Sequence, residues 1–489
     1  MTGQNHFGPQ TLGGQALVYV LALMVPLALT AALVFNSYQI SNEKNRLQNT
    51  VDAAVYSGAV AEARNLNFMA YTNRAMIANQ VAMAQAVGLV SWARWLDQVA
   101  FNLSVITVWF PGVNAVTRGI ATASDRMLKV TKKVMDPTVT GLDFVTKALT
   151  KAQQAHNKAM VLIMGDMIGK VVQANDPDVD TGLSLLNAGL VANYESRHGD
   201  FTELVDRRNI DNPRNRDKYR RALARMEEKR EITMESRDGF SRNRTYNRWG
   251  KKLPLIVQWD FKRSGSTDLT GANKRHRFGS WIAMDTFSLH VRFQGCGLFG
   301  ASWCSWKETP IGWGAAKTSR KEEANKVRYN TKYHKRRENL GTTWKRNRLA
   351  SRFANREPQS YREVKANRDG YSGLRSYMDL AADGLMTDGP EIQLILTKPA
   401  SALTTNEDLG FNAGAMSLED GAELPADRMA AMASAAPYFS RPNDLPSLAR
   451  RDGRREYANA YNPYWQARLT SLGEAERRAL QAAAAMVNF

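Results

Sequence analysis

The sequence predicts an α+β protein tethered to a membrane by a single amino-terminal helix. Three observations predict it. Ala16–Phe35 runs twenty residues without a charge, helix-period apolar spacing persists to about Gln173, and the pattern switches to period-2 alternation after Gly250. A chain of 489 residues, 44% hydrophobic and 23% charged, can bury the cores of two or three domains, which excludes a disordered tail or a disulfide-stapled miniprotein.

At about 1.5 Å rise per residue, the apolar run Ala16–Phe35 is about 30 Å long, the thickness of a bilayer's hydrocarbon core. No Lys or Arg precedes it, and it exceeds the roughly 7–15 apolar residues of a secretory signal. It therefore reads as an uncleaved anchor over residues 16–36, with 1–15 a short cytoplasmic terminus. Pro26 falls inside the span, where local adjustment re-satisfies the freed carbonyl. From Ile40 an amphipathic stripe follows at 3–4 residue spacing: Leu47, Val51, Ala54, Val55, Gly58, Ala59, Ala63 and Leu66. Its side chains are mostly small, which suits close packing against other long helices or within the chain's own core.

Gln98–Val116 is nineteen residues without a charge but is broken by Asn102, Pro111, Gly112 and Asn114. It reads as a buried or interfacial helix ending near Pro111, with a second span or membrane-surface segment as the alternative. Helical apolar faces continue from Thr117 to Gln173, and Asn175-Asp176-Pro177-Asp178 forms a turn. Residues 37–200 are thus mainly helical and membrane-proximal. Residues 201–400 form a basic α+β domain: a charged helix over about Phe201–Arg230, then a β-rich part at about 250–310 in LPLIVQWDF and RFGSWIAMDTFSLHVRFQ. EIQLILTKP (Glu391–Pro399) is one more strand. Residues 401–489 read as mostly helical, through Met429–Ala435 and Leu472–Val487.

The net charge of +19 is concentrated, because residues 201–380 alone carry +21. Lys335, Arg336, Arg337, Lys345, Arg346 and Arg348 are the candidate basic interaction surface. Tyr and Trp residues interleave with these cations, as nucleic-acid binding requires, but no helix-turn-helix, RNA-recognition or zinc-finger signature accompanies them. Nucleic acid is therefore disfavoured against anionic lipid or an acidic partner. The two cysteines, Cys296 and Cys304, rule out a Cys-built zinc or iron–sulfur site. Seven residues separate them, a length that suits a hairpin closed by a disulfide in an oxidising compartment; two free buried thiols are the alternative. Six scattered histidines lack metal-ligand spacing, and no nucleophile-elbow, P-loop, HExxH or dinucleotide motif occurs. No enzyme activity, cofactor, metal or small-molecule substrate is expected.

The segment from Gly13 to about Leu66, centred on Arg46, Leu47, Gln48, Asn49, Asp52, Ala53, Ala54 and Gly58, resembles TadG-like and TadE-like proteins of the tight-adherence (Flp) pilus assembly machinery. Ala436–Leu469 resembles the end of the longer TadG-like proteins. The resemblance implies a single-pass bacterial inner-membrane protein. Lys44 and Arg46 after the span favour a cytoplasmic carboxyl side by the positive-inside rule, whereas the cysteine pair argues for an oxidising compartment, and the large domain is expected in the periplasm. Its implied role is a non-enzymatic, pseudopilin-like or minor assembly subunit. The implied partners are other pilus-assembly membrane proteins or pilin-like subunits, together with inner-membrane lipid. The helix-packing interface it suggests is Leu47, Val51, Asp52, Ala54, Gly58 and Ala59. Two features depart from the family. The Asp-x-Ser-x-Ser metal motif of a von Willebrand A domain is missing. The Glu expected five residues after a prepilin-peptidase cut is Val18 or Tyr19, so an uncut, resident protein is expected. The alternative function is a membrane-tethered basic protein that binds nucleic acid or anionic lipid on the cytoplasmic side.

Overall fold

The computed structural model describes residues 13–179, 185–206, 216–252, 256–270, 280–296, 302–318, 340–356, 373–381, 388–399, 428–442, 450, 452, 454, 456–474 and 477–478. In chain order the first helices are α1 (Gly13–Ile106), α2 (Pro111–Asn175) and α3 (Leu185–Phe201); β1 (Thr202–Val205), α4 (Arg216–Glu235) and α5 (Gly239–Arg242) follow. The β-rich stretch comprises β2 (Tyr246–Lys252), β3 (Val257–Thr270), β4 (Ser280–Cys296), β5 (Ser302–Trp303) and β6 (Lys307–Lys317). Then come α6 (Leu340–Arg346), α7 (Arg348–Arg356), β7 (Tyr377–Leu380), β8 (Ile392–Pro399), β9 (Arg428–Phe439) and β10 (Trp465–Thr470). The fold class is α+β, as the sequence predicts.

Two compact units share this chain: residues 1–67, 156–202 and 380–489 form one, and 68–155 and 203–379 the other. In the first unit β8, β9 and β10 form an antiparallel sheet in the order β10-β9-β8. The register pairs Leu396 with Ala431, Leu394 with Ala433 and Ile392 with Ala435. Directly paired residues share a face, so three small alanines and three large aliphatics line the same side of the sheet. That side is packed by Ile40, Leu47, Val51, Ala54, Val55 and Ala59 of α1 and by Met160, Met164 and Val172 of α2. Each fully buried Leu or Val there contributes about 1.5–3 kcal/mol.

The second unit holds a five-stranded antiparallel sheet in the order β2-β3-β4-β5, with β6 paired to β4. The long β3–β4 hairpin pairs Val257 with Phe293 through to Thr270 with Ser280. One arm of α1 and one of α2 also belong to this unit, joined by the single 3-10 turn Thr107–Trp109. Glycine admits α1 to the sheet: a Cβ at Gly314 would lie 2.3 Å from Ser91 O and 2.5 Å from Trp95 N. Gly265 similarly leaves room for the Asp285 carboxylate, which receives Arg244 Nε at 2.8 Å and Ser91 Oγ at 2.7 Å.

Two local expectations are corrected. Met429–Ala435 is strand β9, not a helix. An alanine-rich run has high helix propensity, but pairing with β8 along its whole length, and with β10 at Ser434 and Ala435, overrides that preference. The helix expected to begin near Phe201 starts later: Phe201 ends α3, β1 follows, and α4 begins at Arg216. The cations of that helix do not all face solvent, since Lys229 and Arg230 are buried. Of Leu472–Val487, all but 472–474 and 477–478 lies outside the described residues.

Candidate functional site

The amino-terminal part of α1 is the candidate site, and it changes character twice along its length. Among the described residues, one helix is long and apolar enough to cross a membrane, and none of its apolar window is buried. Leu17 to Phe35 stand exposed apart from a half-buried Ala32. Thr30 Oγ1 donates to Pro26 O at 2.7 Å beside the proline, so this hydroxyl is satisfied within the helix.

Past the apolar segment, burial becomes one-sided. Leu47, Val51, Ala54 and Ala59 are buried in the first unit's own core, and Gly58 is buried with them. A Cβ at Gly58 would sit 3.1 Å from Ile168 Cδ1 on α2 and 3.3 Å from Ile392 Cδ1 on β8. The small-residue stripe is therefore already covered by the chain itself. Asp52 is half-buried and accepts from Gln48 Nε2 at 3.0 Å, while the same amide donates to Met432 O on β9 at 3.1 Å.

Opposite the stripe, Tyr38, Asn42, Asn45, Asn49 and Tyr56 are exposed. At 100° per residue all five fall within about 40° of one line along the helix. This ridge of amides and phenols begins where the apolar segment ends, and the sequence reading did not single it out. Its signal was available as the spacing 38, 42, 45, 49, 56, which is the complement of the buried stripe.

Two buried polar clusters lock the segment in place. Lys398 on β8 is 1% exposed and donates to Glu43 Oε2 at 2.8 Å and Asp176 Oδ2 at 3.0 Å. Burial by itself opposes the lysine's charge, but the hydrogen bonds and charges of Glu43 and Asp176 outweigh it and hold Lys398 above the ordinary lysine range. Arg46 adds a contact to Asp176 at 3.7 Å and donates to Asn175 O at 3.3 Å. With Asp178 Oδ2 at 3.8 Å from Lys398 as well, two cations face three carboxylates where α1, the segment ending α2 and β8 meet.

About four to five turns further along α1, buried Glu62 accepts from Tyr194 Oη at 2.6 Å and lies 3.1 Å from His198 Nδ1. His198 Nε2 is 3.0 Å from Asn157 Oδ1, which also accepts from Asn65 Nδ2 at 3.2 Å. Both ring nitrogens of His198 face side-chain oxygens, so the imidazole ties buried Glu62 to Asn157. Burial, reinforced by the Glu62 charge, pushes the Tyr194 phenol far above its usual range. Glu62 lies 136 residues from His198, so no local spacing in the sequence signals the pair.

The remaining predicted residues fall in the second unit. Cys296 and Cys304 are disulfide-linked, 5.0 Å apart between Cα atoms, and they close the β4–β5 hairpin. Lys345 and Arg348 are exposed and Arg346 is half-buried on α6 and α7, while Lys335, Arg336 and Arg337 lie outside the described residues. Part of the basic block is internal. Arg237 pairs with Asp268 at 2.7 Å, Arg244 with Asp285 at 2.8 Å, and Arg230 donates to Leu269 O. Buried Lys229 sits 4.1 Å over the Tyr377 ring, and burial lowers its ammonium to about 7.

Comparison with known families matches residues 14–61 to the family described as "Putative Flp pilus-assembly TadE/G-like". The matched segment contains the apolar span, Glu43 and the buried stripe, together with the exposed ridge, so this part of the chain is TadE/G-like. No curated protein and no solved structure matches the chain.

Proposed function

We propose that the chain is a membrane-anchored, non-enzymatic component of a Tad/Flp-type pilus-assembly system. The coincidence of the TadE/G-like match at residues 14–61 with an exposed apolar span carries this reading. Ala16–Phe35 sits in the bacterial inner membrane, and the folded units stand on the periplasmic side. The Cys296–Cys304 disulfide supports that orientation, since such bonds persist in oxidising compartments. The protein is a pseudopilin-like or minor assembly subunit that acts by helix packing.

The buried stripe of Leu47, Val51, Ala54, Gly58 and Ala59 builds the domain that the anchor carries. Partners, either pilin-like subunits or other pilus-assembly membrane proteins, meet the opposite ridge at Tyr38, Asn45, Asn49 and Tyr56. A helix rising from the same bilayer would run alongside this ridge from its first turn. Tyrosine and asparagine suit such contact, offering apolar area together with hydrogen bonds at the edge of a membrane.

Two measurements test the proposal in the bacterium that encodes the chain. A reporter enzyme active only in the periplasm, fused after Phe489, should be active, whereas a fusion that fluoresces only in the cytoplasm should stay dark. The double variant Tyr38→Asp/Tyr56→Asp should remove pili from the cell surface while leaving membrane-associated protein at its normal level. Cytoplasmic fluorescence would overturn the orientation, and normal piliation of the double variant would overturn the ridge as the partner face.

A further inference from the structure

The hairpin tip where α1 meets α2 in the second unit is organised opposite to a water-facing one. Its polar side chains point inward. Asn114 Nδ2 donates to Ser104 O at 2.6 Å and reaches Thr107 Oγ1 at 3.4 Å, and the Thr107 and Thr117 hydroxyls are 2.7 Å apart. Asn102 Nδ2 donates to Ile311 O on β6 at 2.8 Å, and Ser104 Oγ donates to Phe101 O at 2.7 Å. The large apolar side chains point outward: Trp109 is 86% exposed, and Val105, Ile106, Phe110, Val113 and Val116 are each at least half exposed.

An exposed apolar patch alone does not name its cover, but two further observations do. A satisfied polar seam inside with an apolar exterior is the organisation that lipid imposes on helices, because hydrocarbon offers no partner to an outward polar group. The charge pattern then follows a membrane surface. Between Gln98 and Ser124 the only charged residue is Arg118, and Arg126, Lys129, Lys132 and Lys133 come next, against Asp125 and Asp136. Arg118 lies seven residues beyond Pro111, about 10 Å along the helix, and interfacial helices immerse their apolar faces by about 5–10 Å. Arg118 at that level meets anionic headgroups, and the exposed Arg126 and Lys129, about 12–17 Å further along α2, add longer-range attraction. The uncharged arm of α1 from Gln98 to Ile106 measures only about 14 Å, far short of the roughly 30 Å needed to cross.

We propose that the hairpin tip Phe101–Ile120 inserts into one leaflet of an anionic phospholipid bilayer, giving the protein a membrane contact separate from its amino-terminal anchor. Trp109 and Phe110 lead the insertion. Val113 and Val116 follow on α2, Arg118 stays at the headgroups, and Arg126 and Lys129 stand in the water above them. The bilayer is either the one that holds the anchor or a second one, and the chemistry of recognition is the same for both.

The test uses the full chain in phosphatidylglycerol-containing nanodiscs, with Trp109→Cys as the one free thiol, because both native cysteines are in the disulfide. The thiol carries an environment-sensitive nitrobenzoxadiazole dye. Spin-labelled lipid is placed in the nanodisc in one arm and in added phosphatidylglycerol vesicles in the other. A blue shift of the dye with quenching in either arm is expected, and the quenched arm identifies the bilayer. Replacing phosphatidylglycerol with phosphatidylcholine in the bilayer so identified should lower the quenched fraction about tenfold, and Val113→Asp/Val116→Asp should abolish the shift while circular dichroism is unchanged. Unquenched emission in both arms would overturn the proposal. So would a lipid-independent shift that grows with protein concentration, because it would show that a second copy covers the tip.

Discussion

Gly58 lies in the TadE/G-like segment, and its replacement separates two roles for the small-residue stripe. A Cβ there already sits 3.1 Å from Ile168 Cδ1 and 3.3 Å from Ile392 Cδ1, inside the 3.5–4.0 Å optimum for carbon contacts. In Gly58→Ala, shifting the two isoleucine ends by a few tenths of an ångström offsets the helix-propensity gain of about 1 kcal/mol, so stability should change by less than about 0.5 kcal/mol. Gly58→Leu places three further carbons in the same space. Ile392 is buried and cannot yield, whereas half-buried Ile168 can turn outward. Overpacking of this kind costs about 1–3 kcal/mol; with one neighbour free to move, about 2 kcal/mol is expected. Denaturant melts of the full chain in detergent micelles measure the loss, and immunoblots of membranes measure the fall in protein level that follows it. Adding Ile168→Ala to Gly58→Leu should return at least about 1 kcal/mol, since the two side chains compete for one volume. If Gly58→Leu melts with the wild type and keeps its level while pili are lost, the stripe serves a partner and the reasoning fails.

Two further outcomes follow from the second unit. Gly314→Ala sets a methyl 2.3 Å from Ser91 O and 2.5 Å from Trp95 N. Those are backbone atoms, so α1 and β6 must part by about 1 Å. Parting them breaks the bonds from Ser91 Oγ to Gly314 O and from Arg94 Nη1 to Ala315 O, and a loss of about 3 kcal/mol or more in the same melts is expected. Lys229 is buried, with burial lowering its ammonium to about 7, so the unfolded chain binds the extra proton between pH 7 and about 10.5. Wild-type stability therefore gains from this group as pH rises through that window, and Lys229→Met removes the gain. The advantage of Lys229→Met should shrink by roughly 3 kcal/mol between pH 7 and pH 9.5; an advantage that stays flat with pH would show that Lys229 is not buried as a depressed lysine.

What the sequence determined by itself was whatever depends on neighbours along the chain. The uncharged run Ala16–Phe35 has the length and polarity of a membrane span without reference to any fold. The 3–4 residue spacing of Leu47, Val51, Ala54 and Ala59 named a buried helix face, and the alternation in Trp281–Phe293 named a strand. Even the break near Pro111 was legible, because a proline and a glycine mark the start of a new helix.

Tertiary structure decided the questions whose answers lie far away in sequence. The buried face of α1 could be assigned to other helices or to the chain's own core until Ile168 and Ile392, more than a hundred residues away, were seen against Gly58. Met429–Ala435 carries helix propensity in every alanine, yet pairing with Ile392–Lys398 on one side and Leu469–Thr470 on the other makes part of it the central strand of a sheet. His198 acquired its partners from Glu62 and Asn157, and Lys398 from Glu43 and Asp176. Composition assigned the cations at 201–380 to a surface, but Arg237 and Arg244 found Asp268 and Asp285 inside the fold. Periodicity reports which face of an element is apolar; only the folded chain supplies the atoms that cover that face or leave it open, as at Trp109.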